Sequence, residues 1–140
     1  TFRTGDEVVG AFICYESAFP HLVRQFATQG ATVFANLSND GYFGGSAARE
    51  QHLSLVRMRA AENHRWVLRA TNDGITAAVD PAGRILARLP EFTEISGRLP
   101  FLYRRDMTLY SEYGDWFAWS CGLATLIALF ASQRPHYKGG

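Results

Sequence analysis

The feature that most constrains the fold is a pair of short apolar runs, the first of which leads directly into a helical pattern. Residues 8–14 (VVGAFIC) are continuously apolar and partly β-branched, and residues 31–37 (ATVFANL) are mostly apolar. Such runs are typical of strands in a parallel sheet that is covered on both faces. Between them, Ser17 and Pro20 mark a helix start, and apolar residues recur at helical spacing up to Gly30. The sequence therefore predicts a β-α-β unit.

Three more strands are predicted after a second helix. That helix spans Ala47 to His64, and the predicted strands are residues 66–71, 75–80 and 84–89. Tight turns between consecutive strands favour antiparallel neighbours, whereas helices between strands favour parallel ones. Residues 90–115 contain two prolines and two glycines and are predicted to be irregular. The chain is therefore predicted to be an α/β domain, with parallel strands first and an antiparallel meander after them.

The second predicted helix has an apolar face and a charged face. The residues expected to face the sheet are Leu53, Val56, Met58 and Ala60. The residues expected on a solvated face, where side chains three positions apart commonly pair, are Arg49, Arg57, Arg59 and Glu62. This pattern predicts an ordinary amphipathic helix that packs on the sheet.

Composition limits the classes of function. The 140 residues are 47% hydrophobic, which is enough for one modest core. A net charge of +1 argues against a nucleic-acid partner, because such partners are held by neutralising phosphates. The two cysteines, Cys14 and Cys121, form neither a metal motif nor a disulfide framework. No Met opens the chain and no signal peptide is recognisable at its start, so we expect a piece of a larger protein.

Cys14 ends the first predicted strand, where the chain turns into a helix. Ligands bind at this edge of open α/β sheets, so the residues of the turn are candidates for an active site. In such an elbow, Cys14 is a candidate nucleophile and the backbone N–H of Tyr15 a candidate oxyanion donor. Glu16 brings a carboxylate close to the thiol. The alternative is that Cys14 is a small packed core residue, since a reactive thiolate needs a base or a cation nearby.

A glycine-rich loop, residues 38–46 (SNDGYFGGS), follows the second apolar run. If the two strands are parallel, this loop opens on the same edge of the sheet as Cys14. Its three glycines indicate a mobile loop, and the adjacent aromatic residues Tyr42 and Phe43 need a surface to cover. Together with Asn39, these two aromatic residues are the candidate substrate-binding residues.

The last apolar segment, residues 116–131, runs for sixteen residues without a charge and has Trp116 and Trp119 near its start. A spanning helix needs about 20 apolar residues, so a buried core helix is the alternative. Interfacial tryptophans and the absence of a polar face favour a transmembrane helix over residues 116–132. The positively charged tail, residues 133–140, is then predicted to be cytoplasmic by the positive-inside rule, which places the preceding domain outside.

Four stretches of the chain together resemble one family. In order along the chain they are ICYESAFP, NLSNDGYFG, EQHLSLVRMRAAENHRWVLRATNDGITAAVDPAGRI and LYSEYGDW. They are similar to the apolipoprotein N-acyltransferases, bacterial membrane enzymes that carry a nitrilase-type domain. The resemblance extends from Val8 to the final apolar segment. The sequence departs from the family at Tyr42, where Trp is usual, and at Leu109, where Pro is usual.

The resemblance implies a partial nitrilase-like α-β-β-α sandwich over residues 1–115 and a catalytic set of one Cys, one Glu and one Lys. Cys14 matches the nucleophile of that family. Tyr15 and Glu16 match the Tyr-Glu pair beside it, and Glu16 is not the general base. The base Glu and the Lys precede the cysteine in the family, whereas the only lysine here, Lys138, lies beyond the apolar segment. The resemblance therefore implies a C-terminal piece of a longer enzyme.

The activity implied by the resemblance is acyl transfer from a phospholipid to the N-terminal cysteine amine of an apolipoprotein, by way of a thioester on Cys14. No metal or other cofactor is implied, and the four histidines are too scattered for a metal site. The expected location is the bacterial inner membrane, with the nitrilase-type domain on the periplasmic side. Two alternatives stay open: a soluble nitrilase-type amidase that hydrolyses small C–N bonds through the same cysteine, and a non-catalytic, membrane-anchored binding domain.

Overall fold

Strands and helices follow one another largely as the sequence predicts. The computed structural model describes residues 1–132. The strands are β1 Phe2–Thr4, β2 Glu7–Ile13, β3 Val33–Ser38, β4 Val67–Thr71, β5 Ala77–Val79 and β6 Ile85–Arg88. The helices are α1 Pro20–Thr28, α2 Ala48–Asn63, α3 Leu109–Tyr113 and α4 Trp116–Ser132. Strand β1 is not among the predicted strands, and α3 lies in the segment that is predicted to be irregular.

The six strands form one sheet in the order β1-β2-β3-β4-β5-β6. Strands β2, β3 and β4 are parallel to one another, and α1 and α2 connect them. Strands β1, β5 and β6 pair antiparallel with their neighbours. The predicted arrangement, parallel first and antiparallel afterwards, is confirmed. As a consequence, the carboxyl ends of the three parallel strands, at Ile13, Ser38 and Thr71, lie at one edge of the sheet.

Helices α1 and α2 cover one face of the sheet and enclose the main core. The large buried side chains of this core come from both layers and include Phe12, Val23, Phe34, Leu53, Val56 and Val67. The rings of Phe12 and Phe34 meet edge to face, with their centroids 6.1 Å apart. Gly10 allows α1 to approach β2 closely, because an added Cβ there would lie 2.7 Å from the Cβ of Phe26. This close packing fixes the second half of α1 against β2.

Helix α2 packs on the sheet through its predicted apolar face, with two corrections. Met58, which is predicted to face the sheet, is 53% exposed. Arg59, which is predicted on the solvated face, is buried. Its Nη1 donates to the backbone oxygen of Ser17 at 2.9 Å, and its Nε and Nη2 donate to the carboxylate of Glu62. A charged side chain can be buried when all of its polar groups have partners in this way.

The opposite face of the sheet carries a smaller apolar cluster. Val33, Trp66 and Ala78 are buried there, and Leu99 and Phe101 of the irregular segment pack against them. Residues 1–132 thus contribute one helical layer and one sheet, and every strand among them belongs to that sheet. The α/β class is confirmed. One helical layer and one sheet are what residues 1–132 contain of the predicted partial α-β-β-α sandwich.

The chain leaves the sheet domain through α3 and α4. Arg24 of α1 holds α3, because its Nε donates to the backbone oxygen of Tyr110 at 2.9 Å and its Nη2 to that of Glu112 at 2.7 Å. Helix α4 coincides with the predicted apolar segment, and all of its side chains are exposed.

The prediction of a transmembrane helix over residues 116–132 is not supported, since residues 1–132 contain no helix that is both long and apolar enough to cross a membrane. The 17 residues of α4 rise by about 26 Å, which is less than the roughly 30 Å of a hydrocarbon core. The predicted cytoplasmic tail, residues 133–140, lies outside the described residues.

Candidate active site at the carboxyl edge of the sheet

Cys14 lies directly after the last residue of β2 and begins a 3-10 turn, Cys14–Ala18. Its backbone has a φ of 48°, in the left-handed region, and its side chain is half-buried. A non-glycine residue in this region is strained by about 1 kcal/mol or more, so the surrounding structure must hold it there. Strain of this kind is concentrated at functional sites, where it aims a side chain out of a sharp turn. The predicted elbow is therefore present in the structure.

Hydrogen bonds with side chains of the turn itself and of α2 hold the backbone of the elbow. Glu16 Oε2 accepts a hydrogen bond from the N–H of Ile13 at 2.5 Å. Ser17 Oγ donates to the backbone oxygen of Cys14 at 3.2 Å, and Arg59 of α2 binds the backbone oxygen of Ser17. The carboxylate of Glu16 is thus engaged with the main chain before Cys14, where it closes the turn in the manner of a helix-capping side chain.

His52 of α2 links the elbow to the buried interior. Its Nε2 lies 3.1 Å from the backbone oxygen of Cys14. A carbonyl oxygen can only accept, so the hydrogen-bond network assigns a proton to Nε2. Its Nδ1 lies 3.0 Å from Asp40 Oδ1 and 3.2 Å from Arg69 Nη2. The imidazole is almost fully buried. One side chain therefore contacts both the main chain of the candidate nucleophile and a charged pair behind it.

Asp40 and Arg69 form an ion pair whose two side chains are fully buried, with 2.6 Å between Arg69 Nη2 and Asp40 Oδ2. Ser38 donates to Asp40 Oδ1 at 2.6 Å, and Arg69 Nη1 donates to Asn36 Oδ1. Burial by itself would raise the pKa of Asp40. The hydrogen bonds from Ser38 and Arg69, together with the Arg69 charge, outweigh burial and hold the pKa of Asp40 below its ordinary value. The carboxylate is therefore ionised and locked in position.

The other predicted site residues divide into two groups. The ring of Tyr15 lies 6.1 Å and that of Phe43 5.7 Å from the imidazole of His52, measured between centroids. Asn39 lies on the far side of the loop, where its Oδ1 accepts from the N–H of Gly41 and from Asn72 Nδ2. The side chain of Tyr42 is 89% exposed. The structure thus gathers Cys14, Tyr15 and Phe43 around one imidazole and leaves Asn39 and Tyr42 outside that group.

Two cavities adjoin the elbow. An open depression of about 460 Å³ lies beside it at the ends of the parallel strands, lined by Ile13, Leu37, Ser38, Asn39, Ala70, Thr71 and Asn72. A smaller one of about 190 Å³ lies against His52, lined by Tyr15, Phe43, Ala48, Gln51, His52 and Leu55. Both linings contain apolar and uncharged polar side chains, which is the composition of sites for ligands with an apolar part.

The residues that sequence reasoning missed are His52, Asp40 and Arg69. A signal was present for two of them. His52 lies four positions before Val56, which places it on the buried face of α2, and Arg69 lies two positions after Val67, which places it on the inward face of β4. A polar side chain at a core-facing position implies a buried partner. In residues 1–132, no group of three or more His, Cys, Asp or Glu side chains could hold a metal ion.

Comparison with protein families decides the affiliation of the chain. A family model described as carbon-nitrogen hydrolase matches residues 1–100. The chain belongs to the carbon-nitrogen hydrolase family. Within this family it is similar to proteins named apolipoprotein N-acyltransferase: it is 38% identical to that of Geobacter metallireducens over 138 residues and 37% identical to that of Pseudomonas aeruginosa over 132 residues. These alignments cover 96% and 93% of this chain and 26% of each relative, so the chain spans about a quarter of their length.

Solved carbon-nitrogen hydrolase structures share the fold of the sheet domain. An amidase from Nesterenkonia sp. is 26% identical, with a TM-score of 0.53, and the match covers 63% of this chain and 35% of that one. A Saccharomyces cerevisiae member of branch 10 of the nitrilase superfamily is 28% identical, with a TM-score of 0.51, over 59% of this chain and 33% of that one. The resemblance in sequence to the nitrilase superfamily is therefore confirmed at the level of the fold.

Proposed function

We propose that the full-length protein containing this chain transfers a fatty acyl chain from a phospholipid to the N-terminal cysteine amine of an apolipoprotein. The observation that carries this proposal is the position of Cys14, in a left-handed backbone conformation at the carboxyl end of a parallel strand. Relatives with this activity in their names align with almost the whole chain. The apolar depression beside the elbow suits a substrate with a long hydrocarbon part.

In the first half-reaction, the thiolate of Cys14 attacks the carbonyl carbon of an acyl ester in the phospholipid. A C–S bond forms, the ester C–O bond breaks, and the lysophospholipid leaves with a proton on its new hydroxyl. The backbone N–H of Tyr15, the residue after Cys14 in the turn, would donate to the oxyanion of the tetrahedral intermediate. Glu16 acts as an active-site carboxylate that keeps the turn in shape through its bond to Ile13. The product on the enzyme is a thioester.

In the second half-reaction, the α-amine of the apolipoprotein attacks the thioester carbonyl. A C–N bond forms, the C–S bond breaks, and the proton lost by the amine returns to the Cys14 sulfur, so that thiol and amide are the products. We assign the base Glu and the Lys of the family to parts of the full-length protein outside these 140 residues. The Glu would carry the proton in both steps, and the Lys would share the oxyanion with the Tyr15 N–H.

The lipid substrates place the reaction at a membrane. We propose that α4 lies in contact with lipid, because its 17 residues carry no charge and all of them are exposed. Residues 1–115 would then form the catalytic domain on the periplasmic side of the bacterial inner membrane. The exposed ring of Tyr42 and its neighbour Phe43, with Asn39 at the base of the loop, would contact lipid as it enters the site. The depression of about 460 Å³ is where we expect the acyl chain to lie.

The decisive experiment replaces Cys14 in the full-length protein by Ala and by Ser. Acyl transfer to an apolipoprotein is expected to fall by at least about 10³-fold in both variants, because the bond-forming atom is lost or is a much weaker nucleophile. The acyl-enzyme, detected by mass spectrometry after incubation with phospholipid, should disappear. Cys121→Ser is the matched control and should retain both. A Cys14→Ala variant that still forms an acyl-enzyme or a triacylated lipoprotein would refute the proposal.

The second candidate function is that of an amidase that hydrolyses small C–N bonds. It is supported by the fold that the sheet domain shares with a bacterial amidase. The two functions differ in the second substrate, which is water for the amidase and an amine for the transferase. Incubating the acyl-enzyme with an apolipoprotein peptide separates them: a triacylated peptide supports transfer, and free fatty acid as the sole product supports hydrolysis. Turnover of small aliphatic amides by the wild-type protein would point the same way as hydrolysis.

A further inference from the structure

We infer that His52 is a positioning residue that holds the Cys14 main chain through its carbonyl oxygen and so sets the direction of the thiol. The inference rests on the proposed role of Cys14 as nucleophile and adds to it a residue that does not touch the substrate. It assigns the buried Asp40–Arg69 pair as the fixed support of His52.

The first step is the contact with the elbow. Cys14 has a φ of 48°, which an L-residue holds only under constraint. Its carbonyl oxygen receives two hydrogen bonds from side chains, one from Ser17 Oγ at 3.2 Å and one from His52 Nε2 at 3.1 Å. Ser17 belongs to the turn itself and moves with it. His52 belongs to α2, so its bond ties the Cys14 carbonyl to that helix, while Arg59 of the same helix binds the backbone oxygen of Ser17.

The second step is the rigidity of His52. Its Nδ1 lies within hydrogen-bond distance of Asp40 Oδ1, and Asp40 is held by Arg69, by Ser38 and by its own backbone N–H, which donates to Asn72 Oδ1. Every one of these groups is attached to the carboxyl end of β3 or β4 or to the loops that follow them. The imidazole is also flanked by the rings of Tyr15 and Phe43. The imidazole therefore holds the Cys14 carbonyl in a fixed position relative to the carboxyl ends of the strands.

The third step is the chemical consequence. The side-chain direction of Cys14 depends on its backbone torsions, and a displacement of a reacting atom by about 1 Å reduces a rate by about 100-fold. Losing the bond from His52 therefore slows acyl transfer, in which the reacting carbonyl is held in the site. A thiol that turns away from the opening is also less accessible to a small reagent in solution. Losing the bond leaves substrate affinity nearly unchanged, because His52 lines the smaller cavity and not the depression of about 460 Å³ in which we expect the acyl chain to lie.

Three substitutions of His52 in the full-length protein separate positioning from simple packing. Gln Nε2 is as many bonds from Cα as His Nε2, so His52→Gln can still donate to the Cys14 carbonyl. His52→Asn reaches only as far as Nδ1 and can contact Asp40 but not the elbow. His52→Leu fills much of the space and donates nothing. Val56→Ala, one turn later on α2 and fully buried, is the control for a loss of packing alone.

The readout is the rate of alkylation of Cys14 by iodoacetamide, measured peptide by peptide by mass spectrometry. Cys121 serves as the internal standard, because it lies on α4 and outside the elbow, so that its surroundings are the same in every variant. We expect the Asn and Leu variants to slow alkylation of Cys14 by more than about threefold with Cys121 unchanged, because the thiol becomes less accessible, and the Gln variant to remain within about threefold of wild type. In acyl transfer, where the reacting carbonyl is held in the site, the Asn variant should lose about 10- to 100-fold in kcat and keep KM.

The outcomes are distinct. Wild-type alkylation of Cys14 in the Asn variant, or equal slowing in Val56→Ala, overturns the inference. If the Leu variant does not fold, the ratio of the Gln and Asn rates decides the matter. If the alkylation pattern is as expected but wild-type protein transfers no acyl chain, the proposed function fails while the role of His52 in holding the thiol stands. If wild type transfers acyl chains and the Gln and Asn variants are equal, only the role of His52 fails.

Discussion

Asp40 and Arg69 form an ion pair from which water is excluded, since both side chains are fully buried. The structure contains a second Asp–Arg pair at the same distance of 2.6 Å, Asp80 with Arg84, in which the arginine side chain is 73% exposed. Removing one partner of a buried pair leaves an uncompensated charge, whereas an exposed arginine is replaced by water. The two pairs therefore differ in what they contribute to stability, although their geometry is the same.

The first prediction compares Arg69→Met with Arg84→Met. We expect Arg69→Met to lower the free energy of unfolding of the sheet by about 3–5 kcal/mol. For Arg84→Met we expect a loss of at most about 1 kcal/mol, because the pair is open to solvent on one side. Native-state hydrogen exchange of the β4 and β5 amides in the full-length protein measures both. Equal losses in the two variants would show that burial of the Asp40–Arg69 pair has no energetic consequence.

The difference in unfolding free energy between wild type and Arg69→Met should also depend on pH, in a direction set by the pKa of Asp40. The pKa of Asp40 is lower in the folded chain than its ordinary value, through the bonds from Ser38 and Arg69 that outweigh burial. Its contribution to stability is therefore complete above the unfolded pKa of about 3.9 and is lost as the pH falls through the folded pKa. In Arg69→Met the buried carboxylate of Asp40 has lost its cation, so protonation of Asp40 stabilises the folded variant. The stability gap between wild type and variant should narrow as the pH falls below about 4, and a constant gap would contradict this assignment.

At the scale of elements, the spacing of apolar residues predicts where a helix or strand lies. Which polar side chains the element can bury depends on partners that are distant in the sequence. Helix α2 is predicted over residues 47–64 and observed as Ala48–Asn63, because its apolar spacing is a local property. The burial of its Arg59 depends on a backbone oxygen of the elbow, 42 positions earlier. Arg69 similarly depends on Asp40, 29 positions earlier. The apolar core and the elbow could therefore be predicted from the sequence. The burial of His52 and Arg69 was also indicated by their positions, but their common partner Asp40 was not.

The second prediction concerns the attachment of α3. Arg24 donates to the backbone oxygens of Tyr110 and Glu112 in the second half of α3, where the helix dipole favours a cation, and the Tyr110 oxygen also accepts from the N–H of Gly114. Arg24→Leu should remove both bonds, at about 1.5–3 kcal/mol for each bond from a charged donor. Hydrogen exchange of residues 109–114 should accelerate while the β2 and β3 amides keep their protection. Arg24→Lys, which has one donor group in place of the fork, should restore part of it. Uniform acceleration throughout the domain would mean that Arg24 acts on global stability and not on α3.

For the whole molecule, the arrangement of exposed apolar side chains distinguishes α4 from α2. Met58 is a single exposed apolar side chain on a charged helix face, which is ordinary for a protein surface. Helix α4 exposes apolar side chains all round its axis, among them Leu123, Ile127 and Phe130 at 60%, 60% and 69%. Such a surface needs an apolar environment, since keeping it in water is unfavourable by about 25 cal/mol per Å². Because the proposed substrates are lipids, we expect this environment to be lipid.

The third prediction tests that environment with nitroxide labels in the full-length protein reconstituted into phospholipid vesicles. One label is attached to Cys121 of α4 and another to a Met58→Cys variant in which Cys121 is replaced by Ser. In both proteins Cys14 is replaced by Ser so that the elbow is not labelled. Oxygen concentrates in hydrocarbon, whereas a polar nickel chelate stays in water. The spin relaxation of the label on α4 should therefore be accelerated mainly by oxygen, and that of the label at position 58 mainly by the chelate. A label at Cys121 that responds to the chelate as strongly as the label at position 58 would mean that α4 lies in water, and the assignment of α4 to the lipid phase would have to be abandoned.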